Sequence, residues 1–194
     1  MVYGLILAAG ESSRMGTDKA LLTYRGRTFL ENILSTLQAA GVARVVVVLG
    51  HHAEEIQRAV NLAGAQVAVN ADYRLGQTSS LQAGLRALER EDVEAVVLCL
   101  VDHPAVTAGV VMKLLASFQK SRAPVVIPTF QTQRGHPVLI GRRLFPELLG
   151  LGSEAGANTV LRKYRDATQF VEVDDPGILL DVDNLETYRK LEKP

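Results

Sequence analysis

The sequence predicts an α/β fold: a doubly wound, mainly parallel sheet with helices on both faces, in a single domain over 1–194. Three observations carry this expectation. Short apolar, β-branched runs recur along the chain, longer amphipathic segments separate them, and no linker, repeat or low-complexity stretch interrupts the alternation. The runs are continuously apolar rather than alternating, which marks strands buried on both faces.

Taken in order, the first strand is expected over 2–7 and runs into a loop. Thr28 then caps a helix over 28–40, with Glu31 completing a capping box and Gly41 ending it. A second strand at 44–49 (Arg-Val-Val-Val-Val-Leu) precedes a helix at 52–62, and a strand at 66–69 precedes a helix at 80–90. The run at 95–101 is followed by a helix at 107–120, and further strands are expected at 125–127 and 169–173. The rhythm breaks at 128–165, which reads as an acceptor-side insertion. It holds an extended piece at 136–140, a helix at 142–149 and a loop with Gly150, Gly152 and Gly156.

Composition excludes several classes. The formal net charge is zero, so no global field recruits nucleic acid or an anionic membrane. The lone Cys99 excludes an internal disulfide and fits a reducing compartment. No apolar run approaches a membrane span of about 18 residues, and no leader pattern precedes the first strand. A cytoplasmic location is the expectation. His51, His52 and His136 lack the Cys/His spacing of a zinc site, so none is expected.

The most informative stretch is 5–19, Leu-Ile-Leu-Ala-Ala-Gly-Glu-Ser-Ser-Arg-Met-Gly-Thr-Asp-Lys. Its loop carries Gly10, Ser12, Ser13 and Gly16, with Arg14 and Lys19 as its only cations. Glycines allow close backbone approach, successive N–H groups form an anion-binding concavity, and two cations reinforce it, which suits a polyphosphate. Thr17 and Asp18 separate Gly16 from Lys19, so this is not a Walker A loop, and the dinucleotide G-x-G-x-x-G is also absent. The plainer alternative is a strand-to-loop turn with surface cations.

This stretch resembles the signature of the sugar-nucleotide-type nucleotidyltransferases. Val-Asp-His-Pro (101–104), Arg-Gly-His-Pro-Val (134–138) and Asp-Val-Asp (181–183) follow in the matching order. Within the MobA-like NTP transferase superfamily the chain is most similar to the molybdenum cofactor cytidylyltransferase family, over nearly its whole length. The resemblance implies transfer of CMP from CTP to the terminal phosphate of a molybdopterin-type cofactor, with release of pyrophosphate and use of Mg²⁺. A molybdoenzyme or its maturation factor is then a partner, and nucleic acid and membrane are not.

Residue by residue, Arg14, Lys19 and Asp102 are the candidate catalytic groups. Leu7, Ala8, Ala9, Gly10, Ser12, Ser13, Gly16, Asn70, Gly76, Ser79 and Ser80 are candidates for the nucleotide, and His103, Arg134, Gly135 and His136 for the acceptor. A carboxylate at the end of a buried strand faces the crevice where such sheets bind ligands, and beside a triphosphate it calls for a bridging cation. Asp102 is therefore an expected metal ligand, and the resemblance places a second one at Asp183, with Asp181 a candidate supporting partner. Each has a structural alternative: Asp102 as a cap of the helix near Thr107, Asp181 and Asp183 as a helix N-cap pair, and Ser79 as a simple cap. Cys99 reads as a core residue and Arg142-Arg143 as a solvated step.

The chain departs from the family twice. Asn184-Leu185-Glu186-Thr187 stands where Thr-Pro-Glu-Asp is usual, and 152–158 lacks the Asp and Arg of Gly-Asp-x-Gly-Ala-Arg. Guanylyl or sugar-phosphate transfer, an NAD(P)H-dependent oxidoreductase of the same fold and a non-catalytic nucleotide-binding chaperone are the competing readings.

Overall fold

The computed structural model describes residues 1–12, 15–42, 44–62, 64–152 and 154–192. The chain runs β1 (Val2–Ala8), β2 (Thr23–Tyr24), β3 (Arg27–Thr28), α1 (Phe29–Ala39), β4 (Val45–Leu49), α2 (Ala53–Ala59), β5 (Ala65–Val69), α3 (Gln77–Ala87) and β6 (Ala95–Leu100). It continues α4 (Ala108–Ser121), β7 (Val125–Phe130), β8 (Gln133–Arg134), β9 (Val138–Gly141), α5 (Phe145–Leu149), α6 (Asn158–Lys163), β10 (Thr168–Glu172) and α7 (Leu185–Glu192).

The main sheet has the order β10-β7-β9-β6-β1-β4-β5, with β8 paired to β7. It is mainly parallel, as the buried runs predict. Successive β1 residues serve opposite faces: Ile6 and Ala8 pack in a cluster with Leu37 of α1 and Leu114 of α4. Leu5 and Leu7 pack with Leu81 and Leu85 of α3 on the other side. Both faces are covered, which is why alternation is absent from the sequence. The capping box forms as expected: Thr28 Oγ1 accepts from the Glu31 N–H at 3.2 Å, and the Thr28 N–H donates to Glu31 Oε2 at 2.9 Å.

One element departs from the expected rhythm. Part of the segment taken as an insertion at 128–165 belongs to the sheet, because β9 lies antiparallel between β6 and β7. Val138, Leu139 and Ile140 are buried there. Four residues are too few for a pattern, and their place is set by partners far away in the chain. The expected helix at 142–149 is present as a 3-10 turn, Arg142–Leu144, leading into α5.

The strand order also positions the site. From central β1 the chain moves outward to β4 and β5, then returns to β6 on the other side. The carboxyl ends of β1 and β6 therefore flank the switch point, where open α/β sheets bind ligands.

Candidate functional site

A cavity of about 310 Å³ opens at that switch point. The end of β1 contributes Leu7, Ala8, Ala9 and Gly10, the end of β6 brings Leu100 and Asp102, and Ser12 and Lys19 come from the intervening loop. Gly76 and Ser80 complete the far wall. Arg14 and Ser13 lie outside the described residues.

Lys19 is the centre of the arrangement. Its Nζ donates to Asp102 Oδ2 at 3.1 Å and to Asp183 Oδ1 at 2.6 Å. Its own N–H is held by Ser12 Oγ at 3.0 Å, which fixes the loop beneath it. Burial is the largest influence on the ammonium and by itself pushes its pKa down. The hydrogen bond to Asp183 and the charge of Asp102 outweigh it, so the pKa stands above its ordinary value.

Asp183 reaches this point because Val182 is buried against Met15 and Phe29 and its N–H donates to the Asp102 carbonyl at 2.9 Å. The helix cap is a different residue: Asn184 Oδ1 accepts from the Thr187 N–H at 2.9 Å. Asp102 likewise does not cap α4, whose N-cap, Thr107, donates its hydroxyl to Asp175 Oδ2 at 2.7 Å.

The carboxylates suit a hard divalent cation. Asp102 Oδ1 is buried without a hydrogen-bond partner among the described residues. Ligand atoms of Asp102, His103 and Asp181 lie within 4.8 Å of one another. Burial first, then the charges of Asp102 and Asp183, raises the Asp181 carboxyl above its ordinary range. An orphaned carboxylate oxygen among like charges is the environment a Mg²⁺- or Mn²⁺-type ion relieves.

At the start of α3, Asn70, Ser79 and Ser80 come together, but mostly to build the loop. Asn70 Nδ2 donates to Ser79 Oγ at 2.9 Å and Ser80 Oγ at 3.1 Å, while its Oδ1 accepts from the Asp72 N–H. Ser79 spends its hydroxyl on the Asp72 and Gly76 carbonyls and is not the N-cap, which is Gly76 with φ 95°. Only glycine adopts that conformation readily. Asn70, Ser79 and Gly16 stand outside the cavity lining, whereas Tyr73 and Gln77, which sequence reading did not single out, stand within it.

A second cavity, of about 740 Å³, adjoins the first, with Gln77 and Leu100 lining both. Arg134, Gly135 and His136 line it, together with Asn158, Arg162, Arg165 and Phe170. The Arg134 guanidinium lies 4.7 Å from the centre of the Phe170 ring. A Cβ on Gly135 would strike the Ile178 carbonyl, so only glycine lets that backbone pass. Arg162 and Arg165 were missed because their spacing to Arg134 carries no local pattern.

His103 takes a different place. It is only 8% exposed, its ring centre 4.9 Å from that of His136, and it lines a narrow cavity that His136 also lines, rather than the larger second cavity. Burial lowers the pKa of both rings, that of His136 to about 4. Cys99 is buried, as a core residue would be, and burial pushes its thiol up to about 12. No helix of the described residues is long and apolar enough to cross a membrane.

The chain is similar to known proteins over nearly its whole length. The nicotine blue oxidoreductase of Paenarthrobacter nicotinovorans is 33% identical over 202 residues, covering 98% of this chain and 96% of that protein. The purine catabolism protein PucB of Bacillus subtilis is 28% identical, with 96% and 94% covered. The crystal structure of Rv0371c from Mycobacterium tuberculosis superposes with a TM-score of 0.88 at 30% identity, over 100% of this chain and 97% of that one. The same protein in complex with manganese gives 0.81 at 28% identity, over 98% and 97%. The model of the MobA-like NTP transferase domain matches residues 4–168, and the chain belongs to that nucleotidyltransferase family.

Proposed function

We propose that the protein transfers a nucleotidyl group, CMP from CTP in preference, to the terminal phosphate of a molybdopterin-type acceptor and releases pyrophosphate. One observation supports the reading: Lys19, held between Asp102 and Asp183, lines a cavity that shares Gln77 and Leu100 with a second, arginine-lined one. A nucleoside triphosphate in the first and a phosphorylated acceptor in the second would meet at Leu100 and Gln77.

An acceptor phosphate monoester has a second pKa near ~6, so it is largely dianionic at neutral pH and needs no general base. Its oxygen forms a bond to the α-phosphorus as the bridging oxygen to the β-phosphorus departs with the electron pair, yielding pyrophosphate. The chain's part is positioning and charge neutralisation. An ammonium has three donors, and Asp102 and Asp183 take two, which leaves one for a phosphate oxygen of the departing group. Asp102 and Asp183, with Asp181 alongside, would hold Mg²⁺, which supplies further neutralisation of phosphate charge when bound. Arg134, Arg162 and Arg165 offer cations to an anionic acceptor, and the apolar wall with Phe170 accommodates a flat heterocycle.

The test is pyrophosphate release on incubation with each nucleoside triphosphate and molybdopterin. A second reading rests on the relative named nicotine blue oxidoreductase: reduction of an aromatic heterocycle by NAD(P)H in the same cleft. Nicotinamide oxidation dependent on a heterocycle, without pyrophosphate release, would replace the transferase reading. Guanylyl or sugar-phosphate transfer would show as release with another triphosphate or acceptor.

A further inference from the structure

Beside Lys19, Asp18, which lines the same cavity, meets two adjacent histidines from a distant segment of the chain. Both oxygens of the Asp18 carboxylate are engaged by imidazoles: Oδ1 lies 3.1 Å from His51 Nδ1, and Oδ2 lies 2.8 Å from His52 Nδ1. The two rings stack with centres 3.7 Å apart. Asp18 is 8% exposed, so its carboxylate is held out of bulk water. The backbone is committed to the arrangement, since the His51 N–H donates to the Ala9 carbonyl at 3.1 Å and His52 adopts a left-handed φ of 47°. That conformation is uncommon outside glycine, and here it brings two adjacent imidazoles onto one carboxylate.

We propose that Asp18, His51 and His52 form a binding site for a divalent cation of the zinc type, three protein ligands with one coordination position left to solvent. Ligand atoms of the three residues lie within 4.8 Å of one another. A tetrahedral ion with bonds of about 2.0–2.1 Å separates its ligands by roughly 3.3 Å. The two imidazole–carboxylate contacts, 3.1 and 2.8 Å, would widen by only a few tenths of an ångström, and one imidazole would turn towards the oxygen its neighbour already faces, as the ion displaces the shared protons. Two imidazole nitrogens and one carboxylate oxygen suit zinc and its first-row neighbours, whereas the carboxylates proposed to hold Mg²⁺, Asp102 and Asp183, are hard oxygen donors. The protein thus carries two sites of different donor chemistry. The short-interval spacing that identifies many zinc sites misses this one, because Asp18 lies 33 positions from His51. An ion here would tie the ends of β1 and β4 to the residue preceding Lys19.

Metal-free protein in excess Mg²⁺ is titrated with Co²⁺, followed by visible absorption, and then with Zn²⁺. The expected result is one Co²⁺ per chain in a four-coordinate spectrum that Zn²⁺ abolishes. Asp18→Asn and the double variant His51→Gln/His52→Gln should bind at least tenfold more weakly, while Asp102→Asn/Asp183→Asn keeps the spectrum. No visible band in the parent protein overturns the proposal, as does a band that survives the histidine changes or vanishes with Asp102 and Asp183. Should the variants not fold by circular dichroism, imidazole nitrogen NMR of the parent protein decides. Zinc must shift the Nδ1 resonances of His51 and His52; shifts confined to His103 and His136, or none, sink the site.

Discussion

Lys19 Nζ and Asp183 Oδ1 lie 2.6 Å apart across 164 positions of sequence, and this contact joins the first loop of the chain to its last. With Asp102 on the other side, one ammonium balances two carboxylates that would otherwise repel each other. Removing the ammonium therefore leaves two like charges facing each other and, on the proposed reading, takes away a donor to phosphate.

Lys19→Ala is expected to lower pyrophosphate release by at least two orders of magnitude in a folded protein. Stabilisation of a developing oxyanion by one donor is typically about 3–4 kcal/mol. The measurement is turnover beside a circular dichroism spectrum. An unchanged rate in a folded variant would remove Lys19 from the phosphate site.

Asp102→Asn and Asp183→Asn should each shift the Mg²⁺ midpoint of activity upward, because a neutral amide holds a hard dication less well than a carboxylate. A magnesium titration of both variants checks this. If neither midpoint moves, the metal lies elsewhere.

Ala9 lines the nucleotide cavity while only 4% exposed, packed in the cluster that includes Leu7 and Leu81. On the proposed reading the base seats against this methyl, which would crowd a purine more than a pyrimidine, and an apolar contact of that size discriminates by about 1–3 kcal/mol. CTP should therefore be favoured over GTP by roughly ten- to two-hundredfold, measured by competition in one reaction, and Ala9→Gly should narrow the gap. Mostly guanylated product from the parent protein would overturn the base assignment and leave the transfer reading in place.

The pKa of His136 is about 4 in the fold, held down first by burial and then by the charge of His103, against an ordinary 6.5. Between these values the unfolded chain binds a proton that the native state refuses. Stability is therefore complete above about pH 6.5 and falls as pH drops towards 4, by about 3 kcal/mol in all. Urea melts across this range should show the loss, and His136→Asn should reduce it. A parent protein equally stable at pH 4.5 and 7 would contradict the burial of a neutral ring.

Gly135→Ala should destabilise the protein by about 1–3 kcal/mol, the usual cost of forcing atoms into packed space. The added carbon meets the Ile178 main-chain carbonyl as well as its side chain, and the main chain cannot swing away. Chemical denaturation provides the number, and an unchanged midpoint would show that the two segments move apart freely.

The sequence by itself determined whatever depends on neighbours in the chain. The buried run of β4, the Thr28–Glu31 capping box and the glycine-bearing loop after β1 were legible because backbone propensity, burial period and capping chemistry act over a few residues. Asp102 and Asp183 were legible through their motifs, but their partnership with one lysine was not. Tertiary structure alone decided that β9 enters the sheet antiparallel between β6 and β7, and that Arg162 and Arg165 share a cavity with Arg134. It also decided that Ser79 braces a loop and that Asp18 meets two histidines from the end of β4. Those outcomes follow from strand order, which rests on packing energy summed over the whole sheet, and no window of a few residues contains that sum.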